Sequence, residues 1–267
     1  MNGRSYRAWL AALAIGLVCV TIGEAEAQSP GATSSAVGAA KARGKLIVGV
    51  RYDFPPFGFV NEQKQVVGAE IDMTRELAQA LLGNRDAVEL TEVSGPNRIP
   101  FLVTNKVDIV IAALAITAER AKTISFSEPY YTGGYTVMVP KGNTDITAMA
   151  NLSRKRVGIT RGSTAEAIVA KLSPPPEQVI KLEHISELLS VIQAGRVDAV
   201  VQDIALLQPF VRKNPGFKLV GGLYNDEPWG IGIRKDDKET LDWVNAELKR
   251  MRQSGKLDEI LAKWELR

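Results

Sequence analysis

From Lys45 onward, short apolar runs alternate with stretches whose apolar side chains recur every three or four residues. Leu46-Ile47-Val48-Gly49-Val50 is apolar throughout, the mark of a strand covered on both faces. Residues 71–82 have helical spacing and stop at Gly83-Asn84, where a left-handed residue can end a helix. Residues 88–93 predict a second strand, 99–103 a helix, and 107–114 a third buried strand after the turn Asn105-Lys106. This β-α-β-α-β order predicts a parallel sheet with helices on both faces. Ligands of such sheets gather at the carboxyl ends of the strands.

The scheme then repeats. Residues 155–160 echo the first strand, and an arginine follows each (Arg51, Arg161); residues 188–200 echo 99–110 down to a Val-Asp pair. The expected fold is therefore α/β with two lobes of similar build, each a mainly parallel sheet flanked by helices. Ser127-Glu128-Pro129-Tyr130-Tyr131-Thr132-Gly133-Gly134 and Glu227-Pro228-Trp229-Gly230 read as two crossings. Glycine beside each would let the lobes rotate about a shared hinge. The division expected is 44–131 with 229–267 for lobe 1, and 132–228 for lobe 2. The last two helices, 238–253 and 256–264, break at Ser254-Gly255.

The first 43 residues read differently. Arg4 and Arg7 precede the apolar stretch 9–22, and Ala25-Glu26-Ala27 offers small residues where a signal peptidase cuts. That stretch is about 14 residues, short of the ~20 a spanning helix needs. Residues 1–27 are therefore expected to be a cleaved signal peptide and the protein periplasmic. Residues 28–43, rich in Ala, Ser and Gly with Pro30, are expected to be a flexible linker.

Composition narrows the chemistry. The 267-residue chain has one Cys and one His, too few for a disulfide framework, a Cys/His zinc site or a Cys–His dyad. The Cys, Cys19, would leave with the signal peptide, which suits an oxidising compartment. Lys+Arg 33 against Asp+Glu 30 are interspersed, so no nucleic-acid partner is expected, and neither is a cofactor or metal.

Three arginines draw attention. Arg51 follows the first strand, Arg98 opens the helix after the second, and Arg120 lies just past the third. Together at one sheet edge, guanidinium groups need an anion between them. In the second lobe, Gly162-Ser163-Thr164 precedes a helix over 165–172, whose free N–H groups would make an anion seat, or a simple cap. Asp203, after the strand 197–201, could receive an ammonium group or cap the helix beginning near Ile204. Phe54, Pro55, Pro56 and Phe57 form an apolar wall beside Arg51.

Taken in order, these segments resemble the polar amino-acid-binding proteins of bacterial ABC importers, the family 3 solute-binding proteins. The resemblance is carried by Gly49-Val50 with Pro56-Phe57, Val67-Gly68-Ala69-Glu70-Ile71-Asp72, Asn97-Arg98-Ile99-Pro100, Ile116-Thr117-Ala118-Glu119-Arg120 and Phe126-Ser127-Glu128-Pro129-Tyr130-Tyr131. The second lobe adds Arg156-Val157-Gly158, Gly162-Ser163-Thr164, Ala194-Gly195-Arg196-Val197-Asp198-Ala199 and Arg234-Lys235-Asp236-Asp237. It implies a two-lobe type II periplasmic binding fold that closes on a ligand and delivers it to a membrane permease.

The resemblance further implies that Arg120 grips the ligand α-carboxylate, helped by backbone N–H groups of Ser163 and Thr164, while Asp203 pairs with the α-ammonium. Phe54, Ala113, Ala115 and Thr160 would line the same site. Arg51 and Arg98 look like the glutamate/aspartate-binding branch. Three arginines and Asp203 sum to +2, matched to an acidic amino acid of net charge −1. Ala115 stands where the family usually carries Ser or Thr, and His184 lies within one residue of a ligand-contacting His in glutamate-binding relatives. The competing readings are a binder of another polar amino acid such as glutamine, or a cyclohexadienyl dehydratase on the same fold. The latter needs a carboxylic acid with a raised pKa near the arginines, and the sequence singles none out.

Overall fold

The computed structural model describes residues 35–266. The expected signal peptide and residues 28–34 of the expected linker lie outside the described residues. Two five-stranded sheets organise the rest. The first contains β1 (Leu46–Val50), β5 (Val88–Glu92), β6 (Ile109–Ile111), β7 (Ile124–Phe126) and β15 (Gly232–Arg234) in the order β5-β1-β6-β15-β7. The second contains β9 (Tyr135–Pro140), β10 (Arg156–Thr160), β11 (Gln178–Leu182), β12 (Ala199–Asp203) and β13 (Phe217–Val220) in the order β11-β10-β12-β9-β13.

The internal echo is real in three dimensions. β1 runs parallel to β5 and β6, and β10 runs parallel to β11 and β12. Each sheet then adds antiparallel neighbours: β15 against β6 and β7, β9 against β12 and β13. Parallel pairing is thus confined to three strands per sheet. The chain crosses between the lobes at β8 (Tyr131–Gly133) and returns at β14 (Glu227–Trp229), which pair antiparallel with Glu227 opposite Gly133. β8 and β14 lie within the Pro- and Gly-containing segments 127–134 and 227–230.

Helices cover both faces of each sheet. In lobe 1, α2 (Ala69–Leu82) buries Ile71, Met73, Leu77 and Ala78, and Gly83 at φ 71° ends it. α3 (Arg98–Val103) covers the opposite face with Leu102. α4 (Ala118–Ala121) is a single turn, α8 (Lys238–Gln253) and α9 (Lys256–Lys263) close the lobe, and Gly255 at φ 74° makes the break between the last two. In lobe 2, α5 (Ala165–Val169), α6 (Ile185–Gln193) and α7 (Ile204–Lys213) flank the sheet. A small sheet of β2 (Asp53–Phe54), β3 (Gly58–Val60) and β4 (Val66–Val67) leads from β1 into α2.

Part of the expected linker is a correction. Ala36–Arg43 form a packed helix, α1, with Ser35 Oγ accepting the Gly38 N–H at 3.0 Å and Gly44 in the left-handed region at its end. Ala36 and Ala40 are fully buried. Asp237 Oδ2 accepts the Ala36 N–H at 2.7 Å and Thr240 Oγ1 the Val37 N–H at 3.1 Å, tying α1 to the start of α8. Small residues that read as linker composition are also those that let a helix backbone lie close to its neighbour. The partner that captures it lies about two hundred residues downstream, beyond any local pattern.

Candidate functional site

The third strand of lobe 1 is shorter than its apolar run. Glu70, fully buried on α2, accepts the Ala113 N–H at 2.7 Å, and Ala113 sits at φ 46°. That left-handed residue ends the ladder and turns the Ala112 and Ala113 carbonyls toward Arg98, whose Nη1 donates to them at 2.8 and 3.1 Å. Tyr130 also donates to Glu70, so a buried acid organises this edge from behind. Burial raises the Glu70 pKa, opposed by Tyr130, Ala113 and the arginines Arg51 and Arg98.

Arg51 leaves the carboxyl end of β1 and is buried. Its Nε donates to Asp53 Oδ1 at 2.8 Å, and its Nη2 lies 2.7 Å from the same oxygen without hydrogen-bond geometry. The guanidinium also stands 5.7 Å from the Phe54 ring centre. Arg120 is positioned by its own turn: Thr117 Oγ1 accepts its N–H at 3.2 Å, and its Nη1 donates to the Ala115 carbonyl at 2.8 Å. Ala115 thus meets Arg120 through its backbone carbonyl.

Across the cleft, Gly162 at φ 70° turns its carbonyl to lobe 1. It accepts from Arg120 Nη2 at 2.9 Å and from Arg98 Nη2 at 3.2 Å. The anion seat expected before α5 is partly occupied by the protein itself. Gly162 N–H donates to Glu166 Oε1 at 2.7 Å, and Ser163 N–H to the Thr160 carbonyl at 3.3 Å. Thr164 donates its hydroxyl to Glu227. Asp203 does cap α7, accepting the Ala205 N–H at 2.8 Å, and its second oxygen reaches the Gly134 N–H at the hinge, also at 2.8 Å. Thr160 Oγ1 accepts from Gln202 Nε2 at 2.6 Å.

Of the expected residues, Arg51, Phe54, Arg98, Ala113, Thr160, Ser163 and Asp203 line one cavity between the lobes. Arg120, Ala115 and Thr164 are held just outside that lining. His184 does not reach it: its side chain is half exposed, and its Nδ1 is 3.6 Å from Asp53 Oδ2. The same cavity is lined by Gly95, Tyr135, Arg161, Gln202, Glu227 and Trp229, none expected there from the sequence. Glu227 and Trp229 sit in the second crossing, so a carboxylate and an indole inside a predicted hinge were the signal available.

The charge count changes as a result. Asp53 pairs with Arg51, Glu70 stands behind Arg98, and Glu227 faces Arg120 and Arg98. The +2 sum is thus not what the site presents. Burial then acts on Arg98, Asp203 and Glu227. It lowers the Arg98 pKa to about 9, helped by repulsion from Arg120 and Arg51. It raises Asp203 to about 7 and pushes Glu227 upward, partly offset by Thr164 and Trp229. Two acids with raised pKa values near the arginines were not apparent in the sequence.

The lobes meet closely at Gly95 and the Arg161-Gly162 peptide. A Cβ on Gly95 would come within 2.1 Å of the Arg161 carbonyl oxygen. Gly95 has an ordinary φ, so alanine there is unstrained until the lobes meet. Gly95→Ala should therefore act on closure and not on either lobe's own fold, leaving the melting temperature of the ligand-free protein within about 2 °C. The same variant should lose the decrease in radius of gyration that saturating ligand causes. Normal contraction in scattering measurements would show that the lobes close by another approach.

A profile for bacterial extracellular solute-binding proteins, family 3, matches residues 46–267. The ABC transporter glutamine-binding protein GlnH of Bacillus subtilis is 32% identical over 91% of this chain and 88% of its own. The glutamate/aspartate import solute-binding protein of Escherichia coli is 28% identical over 91% and 83%. Among solved structures, an ancestral arginine-binding protein bound to glutamine is 40% identical with a TM-score of 0.80, over 84% of this chain and 99% of that one. With both sheets, both crossings and the match along nearly the whole described chain in agreement, this protein belongs to the family 3 bacterial extracellular solute-binding proteins.

Proposed function

We propose that this chain is the periplasmic capture component of an amino-acid ABC importer, that it closes on an acidic amino acid, and that it passes this ligand to a membrane permease. In this reading Arg120 takes the α-carboxylate with Ser163 and Thr164, Asp203 takes the α-ammonium, and Arg51 and Arg98 take the side-chain carboxylate. Phe54, Ala113, Ala115 and Thr160 shape the site around them. The observation that carries it is the pair of buried guanidinium groups on the cavity wall. Arg51 Nη2 and Arg98 Nε are buried donors without a hydrogen-bond partner in the protein. Unpaired buried donors are costly, and a ligand carboxylate would satisfy them.

Glutamine is the second reading, favoured by Asp53, which already neutralises Arg51 in part, and by the relatives named as glutamine-binding proteins. Calorimetric titration with all twenty amino acids decides. Glutamate or aspartate is expected to bind most tightly, and glutamine ahead of both would replace the acidic reading. No turnover is expected: prephenate incubated with the protein should yield no phenyl product, and product formation would make Glu227 or Asp203 a proton donor instead.

Asp203 supplies a pH test. Its carboxyl sits at about 7, chiefly through burial, with Ala205 and Gly134 N–H groups pulling it down and Glu227 pushing it up. A neutral Asp203 cannot pair with an ammonium group. Affinity should accordingly fall as pH drops below about 7, by up to about tenfold per unit, until the ligand-bound pKa is passed. The stability of the ligand-free fold runs the other way. The folded chain keeps this proton where the unfolded chain releases it, so this group's contribution declines as pH rises from about 4 to 7. Affinity that is level from about pH 5 to 8 would remove Asp203 from the ligand.

A further inference from the structure

Asp53 was not expected at the site, yet it touches both lobes. It lies on β2, two residues past Arg51, and one carboxylate oxygen takes Arg51 Nε at 2.8 Å. The other oxygen accepts the Ile185 N–H at 3.0 Å from the facing lobe. Ile185 is the first residue of α6, a nine-residue helix whose opening N–H groups need partners. Its cap position holds His184, and lobe 2 supplies a local cap through Glu187 while the Ile185 N–H finds its acceptor on the other lobe. Glu187 takes the His184 N–H at 3.1 Å, and Asp53 completes the cap from across the cleft. Its negative charge there is also favoured by the helix dipole. The Ile185 side chain follows, buried among the apolar residues of lobe 1.

We propose that Asp53 is a positioning residue that couples the ligand-facing Arg51 to closure, by capping helix α6 of the opposite lobe. When the lobes part, the Ile185 N–H loses its acceptor and Asp53 keeps only Arg51. When they close, one carboxylate holds the arginine in place and locks the second lobe over it. The inference rests on membership of the binding-protein family and not on which amino acid is bound.

The test uses the full protein with Asp53→Ala and Asp53→Asn, and reads amide hydrogen exchange at Ile185 with L-glutamate or L-glutamine at saturation, when the lobes are closed. Leu188 N–H, bonded to the His184 carbonyl inside α6, is the internal control. Asp53→Ala should speed exchange at Ile185 about tenfold and leave Leu188 unchanged, since the cap protects only the first turn. Asp53→Asn keeps an acceptor oxygen and should restore most of the protection. Stopped-flow measurements with L-glutamate and L-glutamine as probes should show dissociation from Asp53→Ala about tenfold faster, with association changed less than about threefold. Equal Ile185 exchange in wild type and Asp53→Ala would overturn the proposal, as would a slowed association with unchanged dissociation. If the acidic reading alone is wrong, glutamine outcompetes glutamate in the wild type while the Ile185 result stands.

Discussion

Arg120→Ala is expected to abolish binding of every amino acid, whatever its side chain. Arg120 is built to present a fork: Ala115 and Thr117 hold it from its own lobe, and Nη2 points to the Gly162 carbonyl at 2.9 Å across the cleft. In the proposed complex that donor is shared with the ligand α-carboxylate, the group all amino acids have in common. Removing one partner of a buried, charge-assisted pair costs about 3–5 kcal/mol, roughly a hundred- to several-thousand-fold in Kd. Arg120→Lys keeps the charge without the fork and should recover only part of the affinity. Calorimetry with glutamate, glutamine, arginine and alanine checks this. A loss confined to one ligand would move Arg120 from the common grip to side-chain recognition.

The second large effect concerns selectivity. Arg51→Gln removes the charge while keeping a long polar side chain against Phe54. Glutamate should lose about ten- to hundredfold in affinity, because one or two buried hydrogen bonds worth about 1–3 kcal/mol each are no longer made. Glutamine should lose much less, so the ratio between the two ligands should collapse. Asp53 sharpens the expectation. Left without its arginine, its carboxylate adds a negative charge near the ligand side chain and works against glutamate specifically. Equal losses for both ligands would leave Arg51 with a packing role alone.

Much of the fold was legible because it is written locally. Apolar runs marked β1 and β10, helical spacing marked α2 and α8, and Gly83 and Gly255 marked where helices stop. The repeated arginine after each opening strand exposed the two-lobe plan. Arg51 and Arg98 could be placed on one sheet edge from topology alone. What stayed hidden depended on partners distant in sequence. Nothing near Ala36 foretells that Asp237 and Thr240 will hold it. Nothing near Ala113 foretells that Glu70 will break its strand.

The site's charge was misread for the same reason. Arg51, Arg98 and Arg120 are visible one by one, since each follows a recognisable strand or turn. Their counter-charges arrive from β2, from α2 and from the second crossing, so the sum over the site exists only once the chain is folded. The sequence by itself determined the strands, the helices, their order and the arginines at one edge, because hydrophobic period and turn chemistry act within a few residues. Only the tertiary structure decided how Asp53, Glu70, Asp203 and Glu227 share those arginines, because burial and Coulomb interactions depend on distance through space.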